Sequence, residues 1–159
     1  MTDDDLWSFA LACYAQPGVE DACLELQAAG ADVCLLLTAA WLEHRHAPCN
    51  EERLERLTSI STDWQALVVT PLRTLRQRWR LQAATDDALA NLRMQVKQLE
   101  LDAERVQLQR LASVAQHWLA GSGSSNWLEP LCSGLTGETR AAVQRLRHAA
   151  RVQPAAGDD

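Results

Sequence analysis

Glycine and proline are scarce in this sequence, with seven and five residues among 159. Alternation of β-branched and polar residues, the pattern of a half-buried strand, is also rare. Both shortages argue against a sheet protein, because sheets need turns at short intervals. The apolar fraction of 47% is nevertheless enough to bury a core. The sequence therefore predicts an all-α fold, and its length suits one domain.

The sequence has no apolar run of the length that crosses a bilayer, which is about 20 residues. Its most apolar stretch, residues 30–42, has 13 residues and one charge, Asp32. The first residues, Met-Thr-Asp-Asp-Asp, are acidic where a signal peptide is basic. The five cysteines are an odd number without close pairing, which is typical of reduced thiols. We expect a cytoplasmic protein that does not contact a membrane.

The acidic and basic residues are unevenly distributed along the chain. The net charge of −6 disfavours binding to nucleic acid or to acidic membranes. Residues 1–43 contain eight acids and no lysine or arginine, whereas residues 71–80 contain four arginines and no acid. This asymmetry favours attraction between two parts of the fold, or between the protein and a partner.

The fold prediction is centred on one helix, residues 30–46. A helix that is apolar on every side is buried inside a bundle. Gly30 suits the position after a preceding helix, and Asp32 suits the N-cap of this one. We expect a bundle of about five to six helices around it, with a kink or break near Thr70 because Pro71 follows inside a helical pattern.

The rest of the chain divides by composition and periodicity. The bundle is predicted to occupy residues 1–120. A flexible Gly/Ser linker and an irregular segment are predicted for residues 121–137, and a basic C-terminal helix for residues 138–151. Residues 152–159 are predicted to be a disordered tail.

Two stretches of the first half have a distinctive sequence. The first is Leu6-Trp-Ser-Phe-Ala-Leu-Ala-Cys-Tyr-Ala-Gln-Pro-Gly-Val-Glu-Asp-Ala-Cys-Leu-Glu-Leu-Gln27, followed by Gly30-Ala-Asp-Val33, Leu35-Leu-Leu37 and Trp41-Leu42. The second is Trp64 with Pro71-Leu-Arg-Thr-Leu-Arg76. Both are similar to a proteobacterial family catalogued as domain of unknown function 2390. The resemblance implies a helical fold and a bacterial cytoplasm, and it implies no activity or catalytic residue.

An arginine stripe is the clearest functional signal. Arg73, Arg76 and Arg80 fall on one side of a predicted helix, beside Trp79. Guanidinium groups at this spacing bind phosphate or carboxylate groups with paired hydrogen bonds. Two other interpretations need no ligand: the arginine stems cover the edge of the core, or the charges pair with acids of the N-terminal half. An exposed Trp79 would favour a partner-binding surface.

A long helix that begins near residue 85 has two apolar stripes. Leu101 and Leu108 belong to the second stripe. Two stripes are consistent with burial against helices on both sides, or with one intramolecular face and one dimer face. Leu101 and Leu108 are therefore candidates for a self-association face, and a homodimer is one expected assembly.

Motifs for catalysis or metal binding are lacking. His44 and His46 would point about 200° apart on a helix, and no CxxC or HExxH supplies further ligands. Cys49 is the cysteine nearest these histidines, and a packing role is favoured for it as for the others. We predict no cofactor, no metal and no catalytic residue, although a site assembled from distant helices would leave no linear motif.

The sequence therefore favours a small, non-enzymatic helical protein that binds another protein or itself in an interaction or regulatory role. The alternative is a regulator that binds an anion through the arginine stripe. Its ligand would be a nucleotide, a phosphorylated metabolite or nucleic acid.

Overall fold

A computed structural model describes residues 4–154, which contain helices and no strand. The helices are α1 (Asp4–Tyr14), α2 (Val19–Ala28), α3 (Val33–His44), α4 (Glu51–Trp64), α5 (Thr70–Arg78), α6 (Arg80–Ala83), α7 (Asp87–Ala115), α8 (Leu128–Leu131) and α9 (Gly137–Arg151). The predicted all-α fold is confirmed, with more helical segments than the five to six expected. None of the described helices is long and apolar enough to cross a membrane. Most of the predicted disordered tail, from residue 155, lies outside the described residues.

The predicted central helix is α3, which is shorter than the expected range of 30–46. Every residue from Cys34 to Leu42 is buried, and α3 packs against α1, α2, α4, α7, α8 and α9. The carboxylate of Asp32 accepts the Leu35 amide at 3.2 Å and begins the helix. Gly30 closes α2 with a positive φ of 88°. The central position of this helix and both of its predicted boundary residues are confirmed.

The irregularity expected near Thr70 is a π-helical turn rather than a break. This turn, Gln65–Val69, joins α4 to α5. Pro71 lies two residues after the turn, and its missing N–H removes a bond that an α-helix would make. A π-turn changes the hydrogen-bond pattern locally without ending the helix. The chain therefore continues as one interrupted helix from Glu51 to Arg78.

Helices α5 and α6 and the start of α7 form an arm, which we define as residues 70–99. None of these residues is buried. Helices α5 and α6 pack mainly against the π-turn and α7, and the buried core cluster has no member between Leu57 and Leu108. The helical residues from Thr70 to Ala83 span about 20 Å. The arm is therefore a projection from the bundle in which α5 and α6 run beside the start of α7.

The C-terminal part of the chain packs on the same core. The segment predicted as a linker and irregular region, residues 121–137, is hydrogen-bonded to the loop after α3, where the Cys49 amide donates to the Ser124 carbonyl at 2.8 Å. Trp127 is fully buried and donates its indole N–H to the Ala47 carbonyl at 2.7 Å. Helix α9 packs on α2 and α3 through five buried residues, Ala142, Val143, Leu146, Ala149 and Ala150.

Candidate functional site

A cleft of 410 Å³ opens between α1, α7 and the base of the arm. Three of its large apolar side chains, Leu11, Tyr14 and Leu101, are 52%, 39% and 50% exposed. Trp7 lies at the same mouth, with the Arg105 guanidinium carbon 4.5 Å from its ring centroid. Exposed apolar side chains that share one concavity are typical of a binding site. This cleft is the first candidate surface.

The inner end of the cleft is polar. Arg73 enters it from α5 and donates from Nε to Glu100 at 3.0 Å and from Nη2 to Glu104 at 3.3 Å. The side-chain oxygen of Gln27, in the amide orientation that satisfies both of its groups, accepts from Arg73 Nη2 at 3.0 Å. Apolar walls with a few fixed polar groups orient a ligand, because the polar groups accept only matching partners.

Glu100 is the centre of an ion-pair network at the base of the arm. It is 4% exposed and accepts hydrogen bonds from Arg76 at 2.6 Å and 3.3 Å in addition to the one from Arg73. Burial opposes ionisation of Glu100, but the hydrogen bonds and charges of Arg76 and Arg73 outweigh it and lower the pKa of this carboxyl. Both carboxylate oxygens are therefore occupied by guanidinium donors of the same chain.

The arginine stripe is divided by the fold. Arg73 and Arg76 form the internal ion pairs that one interpretation predicted, but that interpretation named the wrong acids. Their partners lie on α7 rather than in the N-terminal half, because α5 and α7 are adjacent in the arm. Arg80 is exposed and lies on α6, beyond the interruption of the helix at half-buried Trp79. The three arginines therefore do not converge on one ligand position.

The two leucines predicted to form a self-association face lie in different environments. Leu108 is buried in the core cluster, whereas Leu101 is half exposed in the cleft. The surroundings of α7 change between these two leucines, from the open cleft to the core. Leu101 is the one of the pair that is available to a partner.

The arm has a further set of exposed apolar side chains. Leu81 and Met94 are 86% and 70% exposed, and two more leucines of α7, Leu92 and Leu99, are about half exposed. Residues 70–99 contain six cationic and two acidic residues, a net charge of +4 in a chain whose total is −6. The arm is therefore an apolar and positively charged surface on an acidic protein.

A buried polar network lies behind the cleft, and sequence reasoning missed it. Gln107 is fully buried and donates to both carboxylate oxygens of Asp32, at 3.1 Å and 3.0 Å, and to Ser61 at 3.1 Å. Its oxygen accepts from Gln65 of the π-turn at 2.8 Å. Burial raises the pKa of Asp32, and these hydrogen bonds oppose the rise. The one signal in the sequence is spacing, because Gln107 follows Ala103, a buried residue of α7, by four positions and therefore lies on the same side of the helix.

Two cysteines that line the cleft, and Cys49 outside it, have the properties of packing residues. Burial raises the pKa of Cys23 to about 12 and that of Cys34 well above its ordinary value. Burial also raises the pKa of half-buried Cys49. These thiols are therefore protonated at neutral pH, and a thiol is a poor nucleophile. Across residues 4–154, no group of three histidine, cysteine or acidic residues is placed to hold a metal ion.

Comparison with known proteins identifies a family. The family described as protein of unknown function (DUF2390) matches residues 5–111, and this chain belongs to it. The match confirms the resemblance seen in the sequence and includes the cleft and the arm, but not α8 or α9. Neither the curated proteins nor the solved structures contain a match to this chain.

Proposed function

We propose that this protein is a non-enzymatic binding module that docks onto a partner protein through its arm and the cleft at the arm's base. The observation that carries the proposal is that the two exposed apolar surfaces adjoin each other. Met94 on the arm and Leu101 in the cleft are seven residues apart on α7, so they lie on the same face of that helix. A partner helix that follows this face contacts both surfaces.

The exposed side chains are large enough to support an interface. Complete burial of a leucine or methionine side chain stabilises an association by about 2 kcal/mol. A partner that covers Leu81 and Met94 alone therefore gains about 4 kcal/mol, before the entropic cost of association. Leu11, Tyr14 and Leu101 in the cleft add to this gain.

The charge of the arm selects an acidic partner. Arg78, Arg80 and Lys97 are exposed, and none of them forms an ion pair with another described residue. Complementary charge speeds association and excludes basic competitors. Residues 4–43 of the chain contain seven acids and no lysine or arginine, so a second copy also offers an acidic surface.

The ion pairs of the arm argue against the alternative function, in which the arginine stripe binds an anion. A phosphate that bound Arg73 and Arg76 would have to displace Glu100, which already occupies both guanidinium groups. Displacement would leave a buried carboxylate without its counter-charge, which is costly. Among the arginines of the stripe, Arg80 is the one that remains available to an outside group.

Photo-crosslinking in cells tests this proposal. A benzophenone side chain replaces Leu81 or Met94, and the same group at exposed Glu55 of α4 is the control. We expect a defined adduct from the two arm positions and none from the control position. An adduct with twice the mass of the chain identifies a second copy, and mass spectrometry identifies any other partner.

Matched charge reversals show whether formation of the adduct depends on the positive charge of the arm. Arg78→Glu with Arg80→Glu removes the positive tip, whereas Arg56→Glu with Arg145→Glu makes the same charge change at exposed positions outside the arm. The adduct should disappear in the first double variant and persist in the second. The proposal would be refuted by adducts of equal yield in both double variants. It would also be refuted if the arm positions gave no more adduct than the control position at Glu55.

A further inference from the structure

A second cavity, of 650 Å³, lies on another part of the molecule, between the end of α3, the segment before α8 and the last turns of α9. Its lining includes Arg147, Arg151, His44 and His46, together with Ser125 and Asn126. Every one of these side chains can donate hydrogen bonds. A cavity of this volume accommodates a ligand of nucleotide size.

Arg147 is held in this cavity by two long ion pairs. Its side chain is 16% exposed, and its nearest carboxylate atoms are 3.7 Å away in Glu43 and 3.8 Å away in Glu129. Both distances exceed those of hydrogen bonds. A guanidinium has five N–H donors, and Arg147 meets the carboxylates of the described residues only at these longer distances. Arg73 and Arg76, in contrast, have close carboxylate acceptors.

Glu43 is the acidic residue in the lining, and its carboxylate is already engaged. One of its oxygens accepts the backbone amides of Trp127 and Leu128, each at 3.0 Å. The other oxygen is the one that faces Arg147. Glu129, the other carboxylate near Arg147, lies outside the lining and is paired more closely with Arg140. The lining itself has two arginines and one acid, so its charge is positive even with both histidines neutral.

The helix dipole accounts for the positions of two of the four basic side chains in this cavity, but not for the other two. His44 and Arg151 lie in the last turns of α3 and α9, where positive side chains interact favourably with the helix dipole. Arg147 lies one turn earlier in α9, and His46 lies beyond the end of α3. The Gly121 amide donates to the His46 carbonyl at 3.2 Å and holds the serine-rich segment against this loop.

We infer that this cavity binds a phosphate monoester of nucleotide size, with Arg147 and Arg151 holding the phosphate group. The two arginines are four residues apart on α9 and therefore lie on one face of that helix. Guanidinium groups bind phosphate oxygens in paired hydrogen bonds. Ser125 and Asn126, from the segment before α8, supply neutral donors to the same cavity. The site lies outside the arm and is independent of the proposed partner surface.

Isothermal titration calorimetry with adenosine monophosphate, pyrophosphate and inorganic phosphate tests the inference, with acetate at matched ionic strength as the reference. We expect saturable binding of the phosphates with a Kd below about 1 mM. Loss of one charge-assisted contact in Arg147→Gln or Arg151→Gln should weaken binding about tenfold or more. Arg145→Gln, on the same helix but outside this cavity, should leave binding unchanged.

A second variant separates ligand binding from stability, because Arg147→Gln also alters the pairing with Glu43. Ser125→Asp places a negative charge in the cavity without replacing either arginine, and it should abolish binding while the melting temperature stays near that of the wild type. No saturable phosphate binding, or equal binding by the Arg147→Gln and Arg145→Gln variants, would overturn the inference. Reversal of Arg78 and Arg80 should not affect this binding, which distinguishes it from the function of the arm.

Discussion

Replacement of Glu100 by glutamine tests whether ion pairs fix the arm to the bundle. The carboxylate of Glu100 accepts hydrogen bonds from Arg73 and Arg76 where α5 meets α7. Glutamine has nearly the same shape, but it lacks the charge and replaces one acceptor oxygen with a donor amide. At least one charge-assisted hydrogen bond is therefore lost, and both arginines lose their shared counter-charge.

The expected loss of stability follows from the exposure of the partners. Removal of one member of a fully buried ion pair costs about 3–5 kcal/mol. The Arg73 and Arg76 side chains are 20% exposed, and Glu104 continues to pair with Arg73. We therefore expect a loss of about 2 kcal/mol in the free energy of unfolding at neutral pH. In a chain of this size, that loss lowers the melting temperature by about 4–8 °C.

The loss also depends on pH in a defined direction. The pKa of Glu100 in the folded protein is lower than its ordinary value of 4.5. The ionised carboxylate therefore contributes its full stabilisation above that ordinary value, and the contribution is lost as the pH falls through the lowered pKa. The difference between the wild type and Glu100→Gln should be constant from about pH 6 to 8 and should shrink below about pH 4.5.

Urea denaturation measured by circular dichroism gives these free energies, and hydrogen exchange over residues 70–99 shows whether the arm opens first. Asp102→Asn is the matched control, because it removes a carboxylate charge from an exposed position on the same helix. It should change stability by no more than about 0.5 kcal/mol. Equal losses in the two variants would refute this reasoning. A Glu100→Gln loss that persists undiminished at low pH would also refute it.

Three further predictions concern the core. Leu146→Ala should lower the free energy of unfolding by about 3 kcal/mol in urea denaturation, because Leu146 joins α9 to the core and is fully buried. Trp127→Phe should cost about 2 kcal/mol in the same assay, because the Ala47 carbonyl loses its buried indole donor. Iodoacetamide labelling of the native protein, followed by mass spectrometry, should modify half-buried Cys49 before the buried cysteines Cys13, Cys23, Cys34 and Cys132.

The parts of the fold that were predictable from the sequence have local causes. Asp32 acts as an N-cap because its side chain reaches the amide three residues away. Gly30 follows α2 because only glycine adopts a positive φ without strain. The π-turn was not predicted in form, since Pro71 shows where an α-helix fails but not which hydrogen-bond pattern replaces it.

The candidate site was less predictable because it depends on which helices are neighbours. The spacing of Arg73 and Arg76 shows that they share a face, but not that this face meets Glu100 some 24 residues later. Leu101 and Leu108 have the same periodicity, yet one lies in an open cleft and the other in the core. An amphipathic pattern does not reveal how many helices surround it, and for this reason the arm was not foreseen.

Helix α7 is continuous for 29 residues, Asp87–Ala115, a length of about 43 Å. Its N-terminal portion belongs to the arm, and its C-terminal portion carries Gln107 and Leu111 in the interior of the bundle. The same helix therefore carries the exposed apolar side chains of the arm and the amide of Gln107, which donates to the carboxylate that caps α3. The exposed projection and the start of the most buried helix are connected by one unbroken run of backbone hydrogen bonds.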